Sequence, residues 1–269
     1  MTTDIAITVL ELKQKLRMFP PPAVVDVRRA PAFERDPSLI PGAIRRDPAE
    51  LAEWSRQLES WRPVVVYCVH GHEVSQNAAV ALRATGLDAR FLELGIEGWR
   101  EQGGAATPYV KPTRWVTRER PKIDRIACPW LIRRFIDPAA EFFYVPNVEV
   151  RSFALANEAT PYDVPAVAYS HDGSQCSFDA FIRLHHLDDD QALARLATIV
   201  RGADTGVPTL AAEAPGLLAV SLGLSAMIND DHAMLHWGML VYDALYAWCR
   251  EATSETHGWN PAALRAVPP

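Results

Sequence analysis

The chain has 269 residues, 49% of them hydrophobic and 22% charged, with a net charge of −6. That suffices for two modest domains with separate cores, and argues against a general nucleic-acid-binding surface, so DNA is not an expected partner. It has no run of 18 apolar residues and no basic, then apolar leader, so neither a membrane span nor a signal peptide is expected.

In chain order, ITVLELKQKL reads as a strand end followed by a helix, and residues 23–29, AVVDVRR, as a short buried strand. DPAELAEWSRQLESW predicts a helix entered at Asp47-Pro48, where an acidic cap and a proline are both favoured. PVVVYC is a second buried strand, and EVSQNAAVALRATG a helix stopping at Gly86. ARFLELG is a third strand and IEGWREQGG a closing helix. Apolar strands alternating with helices predict an α/β domain, a parallel sheet with helices on both faces, over residues 1–107. The Gly- and Pro-rich stretch 103–113 marks the linker.

Residues 108–269 predict an α-rich α+β domain. WLIRRFI, ALARLATIVRGA, APGLLAVSLGLSAMI and HAMLHWGMLVYDALYAWCRE are helical in pattern, with AEFFYVP and PAVAYSH as strand candidates between them. The LLAVSLGL and YDALYAWC stripes read as core, and HGWNPAALRAVPP at the end as loosely packed. Within this acidic half, residues 111–134 are basic, with eight Lys/Arg against two acids.

The four cysteines, Cys68, Cys128, Cys176 and Cys249, lie far apart and form no Cys-x-x-Cys pair. Free thiols in a reducing, cytoplasmic compartment follow. Cys68 stands out because a β-branched strand leads into it and a glycine-bearing loop then opens a helix. Such a loop aims backbone N–H groups and the helix dipole at one spot, so a thiolate, a persulfide or an oxyanion is stabilised there. His70 and His72 add proton or positive charge, and Glu73 opposes them.

Four motifs come in a recognisable order: Asp26-Val27-Arg28, Ile40-Pro41-Gly42-Ala43, the loop Cys68-Val69-His70-Gly71-His72-Glu73, and Gly98-Trp99. Together they make the first ~105 residues resemble a rhodanese domain. The resemblance implies a sulfurtransferase in which Cys68 takes a sulfane sulfur as a persulfide, with Val69, His70, Gly71, His72, Glu73 and Val74 as the anion-cradling loop. Its partners are a small sulfur donor and a thiol acceptor, and it needs no cofactor. The loop carries Glu73 and lacks an arginine, which disfavours a dianionic donor such as thiosulfate. Arg28 and Arg29 either meet substrate or form surface ion pairs.

From Trp115, the stretches WVTRERPKIDRIACPWLIRRFID, ATPYDVPAVAYSHDGSQCSFDAFI, LATIVRGADT and DDHAMLHWGMLVYDALYAWC resemble the C-terminal domain of the ChrB chromate-resistance family. That implies a role in chromate, oxyanion or oxidative-stress response. A non-catalytic sensor of an oxyanion or metal is the alternative to sulfur transfer. Read directly, Arg118, Lys122, Arg125, Arg133 and Arg134 suit a sulfate-like oxyanion, and a structural charge network accounts for them equally well. Asp124-Arg125 also reads as a buried ion pair. His232 and His236 are four apart on a helix, Asp230 and Asp231 precede them, and His171 and Asp204 sit at a turn and a helix end. Histidines with carboxylates suit a divalent Zn, Mn or Fe ion.

Overall fold

The computed structural model describes residues 5–255. Strand β1 (Ala6–Ile7) leads into helix α1 (Val9–Lys15), which opens on a capping box. There the Thr8 side chain accepts from the Glu11 N–H and Glu11 accepts from Thr8, an arrangement that stabilises such a helix by about 1 kcal/mol. β2 (Ala23–Asp26) is wholly buried and is followed by α2 (Ala30–Arg35), β3 (Ser38–Leu39) and β4 (Ile44–Arg45). Next come α3 (Leu51–Trp54), β5 (Val64–Tyr67), α4 (Glu73–Ala84), β6 (Ala89–Leu92) and α5 (Gly95–Glu101).

The main sheet has the order β1-β6-β5-β2-β4, and every pairing in it is parallel. Strand alternation divides its side chains between two cores. Val65 and Tyr67 point to the face with Leu12, Ile96 and Trp99; Val64 and Val66 point to the face with Trp54, Ala78 and Leu82. The expected layering, helices on both faces of a parallel sheet, is what forms. The helix expected from Asp47 is broken, however. Asp47 caps a 3-10 turn at Pro48–Glu50, α3 is a single turn, and Ser55–Gln57 is 3-10 again. The chain must turn here to sink Trp54 into the first domain while delivering Glu59 and Trp61 to the second.

The linker is held in place. Its residues Thr107–Pro108 form β7, paired antiparallel with β3. Beyond it, β8 (Arg114–Arg118) lies between β9 (Glu141–Val145) and β10 (Thr160–Pro161) in a three-stranded parallel sheet. The helices of this half are α6 (Asp124–Leu131), continued as a π turn to Ile136, α7 (Val150–Asn157) and α8 (Ser177–Leu184). They are followed by α9 (Gln191–Asp204), α10 (Ala214–Met227) and α11 (Asp231–Ala247). Asp190 caps α9 and Asp230 caps α11 through their side chains.

Two further expectations change. PAVAYSH is not a strand: Ala166 takes positive φ, which no extended run accommodates, and its one bridge is from Tyr169 to Tyr162. The LLAVSLGL stripe is not core throughout. α10 turns Leu217, Ser221 and Ser225 inward, where Ser221 Oγ accepts from the Ile123 N–H, and leaves Val220, Leu222 and Met227 exposed. The basic stretch 111–134 is partly strand, namely β8. The HGWNPAALRAVPP segment lies outside the described residues. Within them, no helix is long and apolar enough to cross a membrane.

The halves meet through a buried charge network. Arg134 donates to both Asp243 oxygens at 2.8 Å and to Glu59 at 2.7 Å, and Arg62 reaches Glu59 at 2.8 Å. The Asp243 carboxylate also accepts from the indole N–H groups of Trp61 and Trp130. Arg134 and Asp243 expose only 2% and 4% of their side chains. Arg134, an oxyanion candidate by sequence, is therefore an interdomain clasp.

Candidate functional site

Cys68 follows β5 directly and is 7% exposed. Its Sγ lies 3.1 Å from Ser75 Oγ and 3.9 Å from the His72 carbonyl oxygen. Ser75 is buried on the first turns of α4 and its hydroxyl also reaches that carbonyl, at 3.2 Å. His70, His72 and Glu73 are exposed at the rim, Val69 and Val74 are half-buried, and Gly71 is buried. The rings of His70 and His72 stand 5.8 Å apart. A sulfur floor with an open, imidazole-bearing rim suits a nucleophile that must meet a small solute.

Two glycines close the loop. Gly71 has φ +73°, and a Cβ there would lie 2.6 Å from the Leu92 carbonyl oxygen. Gly95 has φ +59°, and a Cβ there would lie 2.4 Å from the carbonyl oxygens of Cys68 and Val69. The next amides, of Ile96 and Glu97, donate to those same two carbonyls. The start of α5 therefore clamps the Cys68 loop from behind. Gly95→Ala is expected to cost at least ~2 kcal/mol in a urea melt, because a strained φ and a backbone clash coincide. It should also lower reaction at Cys68; unchanged stability and reactivity would show that the clamp is dispensable.

Arg28 is buried against Asp26 instead of standing open at the surface. It is 2% exposed and forks onto Asp26, with further bonds to the carbonyls of Asp36 and Ser38. The pair ties the end of β2 to the segment before Ile40, so it is a buried positioning pair rather than a surface ion pair. Arg29 is exposed at the start of α2.

In the second domain the metal candidates part company. His171 and Asp204 come together, joined by two residues not anticipated as metal ligands, Asp124 and Asp163. His171 Nε2 lies 3.3 Å from Asp124 Oδ2, 3.4 Å from Asp163 Oδ1 and 3.3 Å from Asp204 Oδ2. Asp124 therefore faces His171 rather than pairing with Arg125. Asp163 is held by Arg118 at 2.7 Å, by Arg125 at 3.3 Å and by the Ser177 hydroxyl at 2.9 Å. Arg118 and Arg125 thus both hold the Asp163 carboxylate.

Burial, and then the Asp124 charge, pushes the Asp204 carboxyl up to about 7 and raises that of Asp163. The Asp124 contact, outweighing the cost of burial, lifts the His171 ring to about 9. Cys128 and Cys176 are fully buried, and burial raises both thiols well above the ordinary range.

Asp231, His232 and His236 lie elsewhere. Asp231 accepts from the Arg120 N–H at the start of α11. His232 and His236 line a cleft of about 960 Å³ between the domains, together with Arg46, Arg133 and Trp237 and with the acidic Glu50, Glu53, Glu59 and Glu141. Arg133 stacks on Phe142 and reaches the Ala140 carbonyl at 3.4 Å. No carboxylate pairs with it among the described residues. Lys122 is half-buried just before α6.

A parallel sheet whose central strand delivers a lone cysteine into a glycine-closed loop at a helix start defines a rhodanese-like domain. The family model described as Rhodanese-like domain matches residues 8–102. The chain belongs to the family described as ChrB, C-terminal domain, whose model matches residues 115–249. It is 37% identical over 133 residues to Protein ChrB of Cupriavidus metallidurans, covering 49% of this chain and 40% of that protein. The chain therefore spans well under two thirds of that relative. It is also 37% identical over 78 residues to thiosulfate sulfurtransferase GlpE of Pseudomonas syringae, covering 29% of this chain and 71% of that enzyme. Among solved structures, a rhodanese-related protein from Thermoplasma volcanium is similar at 27% identity and TM-score 0.34, covering 38% of this chain and 96% of its own. A rhodanese-like domain protein from Staphylococcus aureus is similar at 28% identity and TM-score 0.33, covering 37% and 95%.

Proposed function

We propose that the chain is a sulfurtransferase working through a Cys68 persulfide, in a cytoplasmic response to chromate, related oxyanions or oxidative stress. The observation that carries this reading is the Cys68 sulfur seated on Ser75 Oγ at 3.1 Å, in a loop closed by Gly71 and Gly95. In the first half-reaction the Cys68 thiolate attacks the outer sulfur of a donor. The donor's S–S bond breaks, and the leaving group departs with the electron pair. In the second, an acceptor thiolate attacks the outer sulfur of the persulfide and regenerates the Cys68 thiolate. Glu73 at the rim, with no arginine in the loop, favours a persulfide or polysulfide donor over thiosulfate. Initial rates at varied donor and acceptor should give the parallel double-reciprocal lines of a ping-pong mechanism, with persulfide donors preferred. Intersecting lines, or no turnover with any sulfane-sulfur donor, would remove the reading.

A second reading concerns the interdomain cleft. Arg133, with no carboxylate partner among the described residues and lining the same cleft as His232 and His236, suits a tetrahedral oxyanion such as chromate or sulfate. Calorimetric titration with both anions should show binding that Arg133→Gln weakens by about tenfold or more. Binding that Arg133→Gln leaves unchanged would remove this assignment.

A further inference from the structure

The cluster around His171 is arranged unlike a set of hydrogen bonds. A charged imidazole N–H donating to a carboxylate settles at about 2.7–2.9 Å, and one N–H serves one acceptor well. Here one ring nitrogen faces three carboxylates, each at 3.3–3.4 Å. Those separations match the distance between ligands around a small cation, about 3.4 Å for ~2.1 Å bonds in a tetrahedron. One donor atom each from Asp124, His171 and Asp204 also falls within 4.8 Å of the others.

Charge gives the same ligand set. Asp163 is already matched by Arg118 and Arg125. Asp124 and Asp204 remain, and two carboxylates with a neutral imidazole cancel one divalent ion. Asp124 is 2% exposed, while the His171 side chain is 43% exposed, so the cluster has a buried floor and an open side. Four separate elements supply it: the start of α6, the loop after β10, the turn before α8, and the end of α9. α6 presents Asp124 from an unusual backbone, since the preceding Ile123 has φ +38°.

We propose that Asp124, His171 and Asp204 form a divalent-metal site in the second domain, with Asp163 anchoring it to Arg118 and Arg125. One imidazole and two carboxylates make a hard, partly open ligand set that suits Mn²⁺, Fe²⁺ or Zn²⁺ over soft copper. The site is independent of Cys68, so it stands or falls separately from sulfur transfer.

The test uses the full chain stripped with chelator and desalted, titrated by calorimetry with Mn²⁺ and with Zn²⁺. One ion per chain is expected to bind. Asp204→Asn and His171→Ala should weaken it at least ~100-fold, and Arg118→Gln, acting through Asp163, about tenfold. Cys68→Ser and His236→Ala should leave it unchanged. Should the ligand variants fail to fold, Mn²⁺ bound to the unaltered chain should still show imidazole nitrogen coupling in its spin-echo spectrum. No binding of either ion, equal affinity in folded ligand variants, or bound Mn²⁺ without nitrogen coupling would overturn the proposal.

Discussion

Cys68→Ser is expected to lower sulfur transfer by at least ~10³-fold while leaving the fold intact, because a serine hydroxyl cannot accept and release a sulfur atom. The structural cost should be small. Residue 68 is enclosed, and a hydroxyl there keeps Ser75 Oγ as its neighbour. The strand behind it, β5, sits at the centre of the sheet and does not depend on the sulfur. A urea melt and a transfer assay on the same preparation separate the two effects. A variant that is folded and still active would place the chemistry elsewhere.

The second large effect lies between the domains. Arg134→Ala leaves Asp243 and Glu59 buried without their shared cation, and breaking such a pair costs about 3–5 kcal/mol. Because Arg134 joins residues 59 and 243 across the two halves, its loss should also uncouple them. Calorimetry should then resolve two thermal transitions instead of one. A single transition at an unchanged temperature would mean that apolar packing alone holds the domains together. Acid should act at the same place. Burial raises the Glu59 carboxyl, but Arg134 and Arg62 outweigh it and hold it below the ordinary glutamate value. A depressed value gives stability that is complete above the unfolded glutamate range and is lost as pH falls through the lower folded value. Domain coupling should therefore persist at neutral pH and weaken in acid, and Glu59→Gln should flatten that dependence.

How much of this could be read from the residues follows from how local each feature is. The Cys68 loop is contiguous, so a β-branched strand, a cysteine, a glycine and a helix start could be read in line. Ser75 and Gly95 could not, because their roles depend on contacts: one touches the sulfur, and the other meets the Cys68 carbonyl from the start of α5. A signal for Gly95 did exist, as a second glycine three residues before Gly98 in LGIEGW. The second-domain cluster draws on residues 124, 163, 171 and 204, and nothing local links them until the strands and helices cross. His232 and His236 were correctly expected on one helix face, but that face lines the interdomain cleft rather than the side with His171. α10 misled in the opposite direction. Its leucines suggested core, whereas Ser221 and Ser225 take the inner face to bind the Ile123 N–H and the Arg120 guanidinium.

The most direct measurement is the mass of the peptide containing Cys68 after the full chain has met a persulfide donor. One added sulfur atom is expected on that peptide alone, disappearing when a thiol acceptor is supplied. A Cys68 peptide that stays unmodified with every sulfane-sulfur donor, in a folded protein, would contradict the assignment.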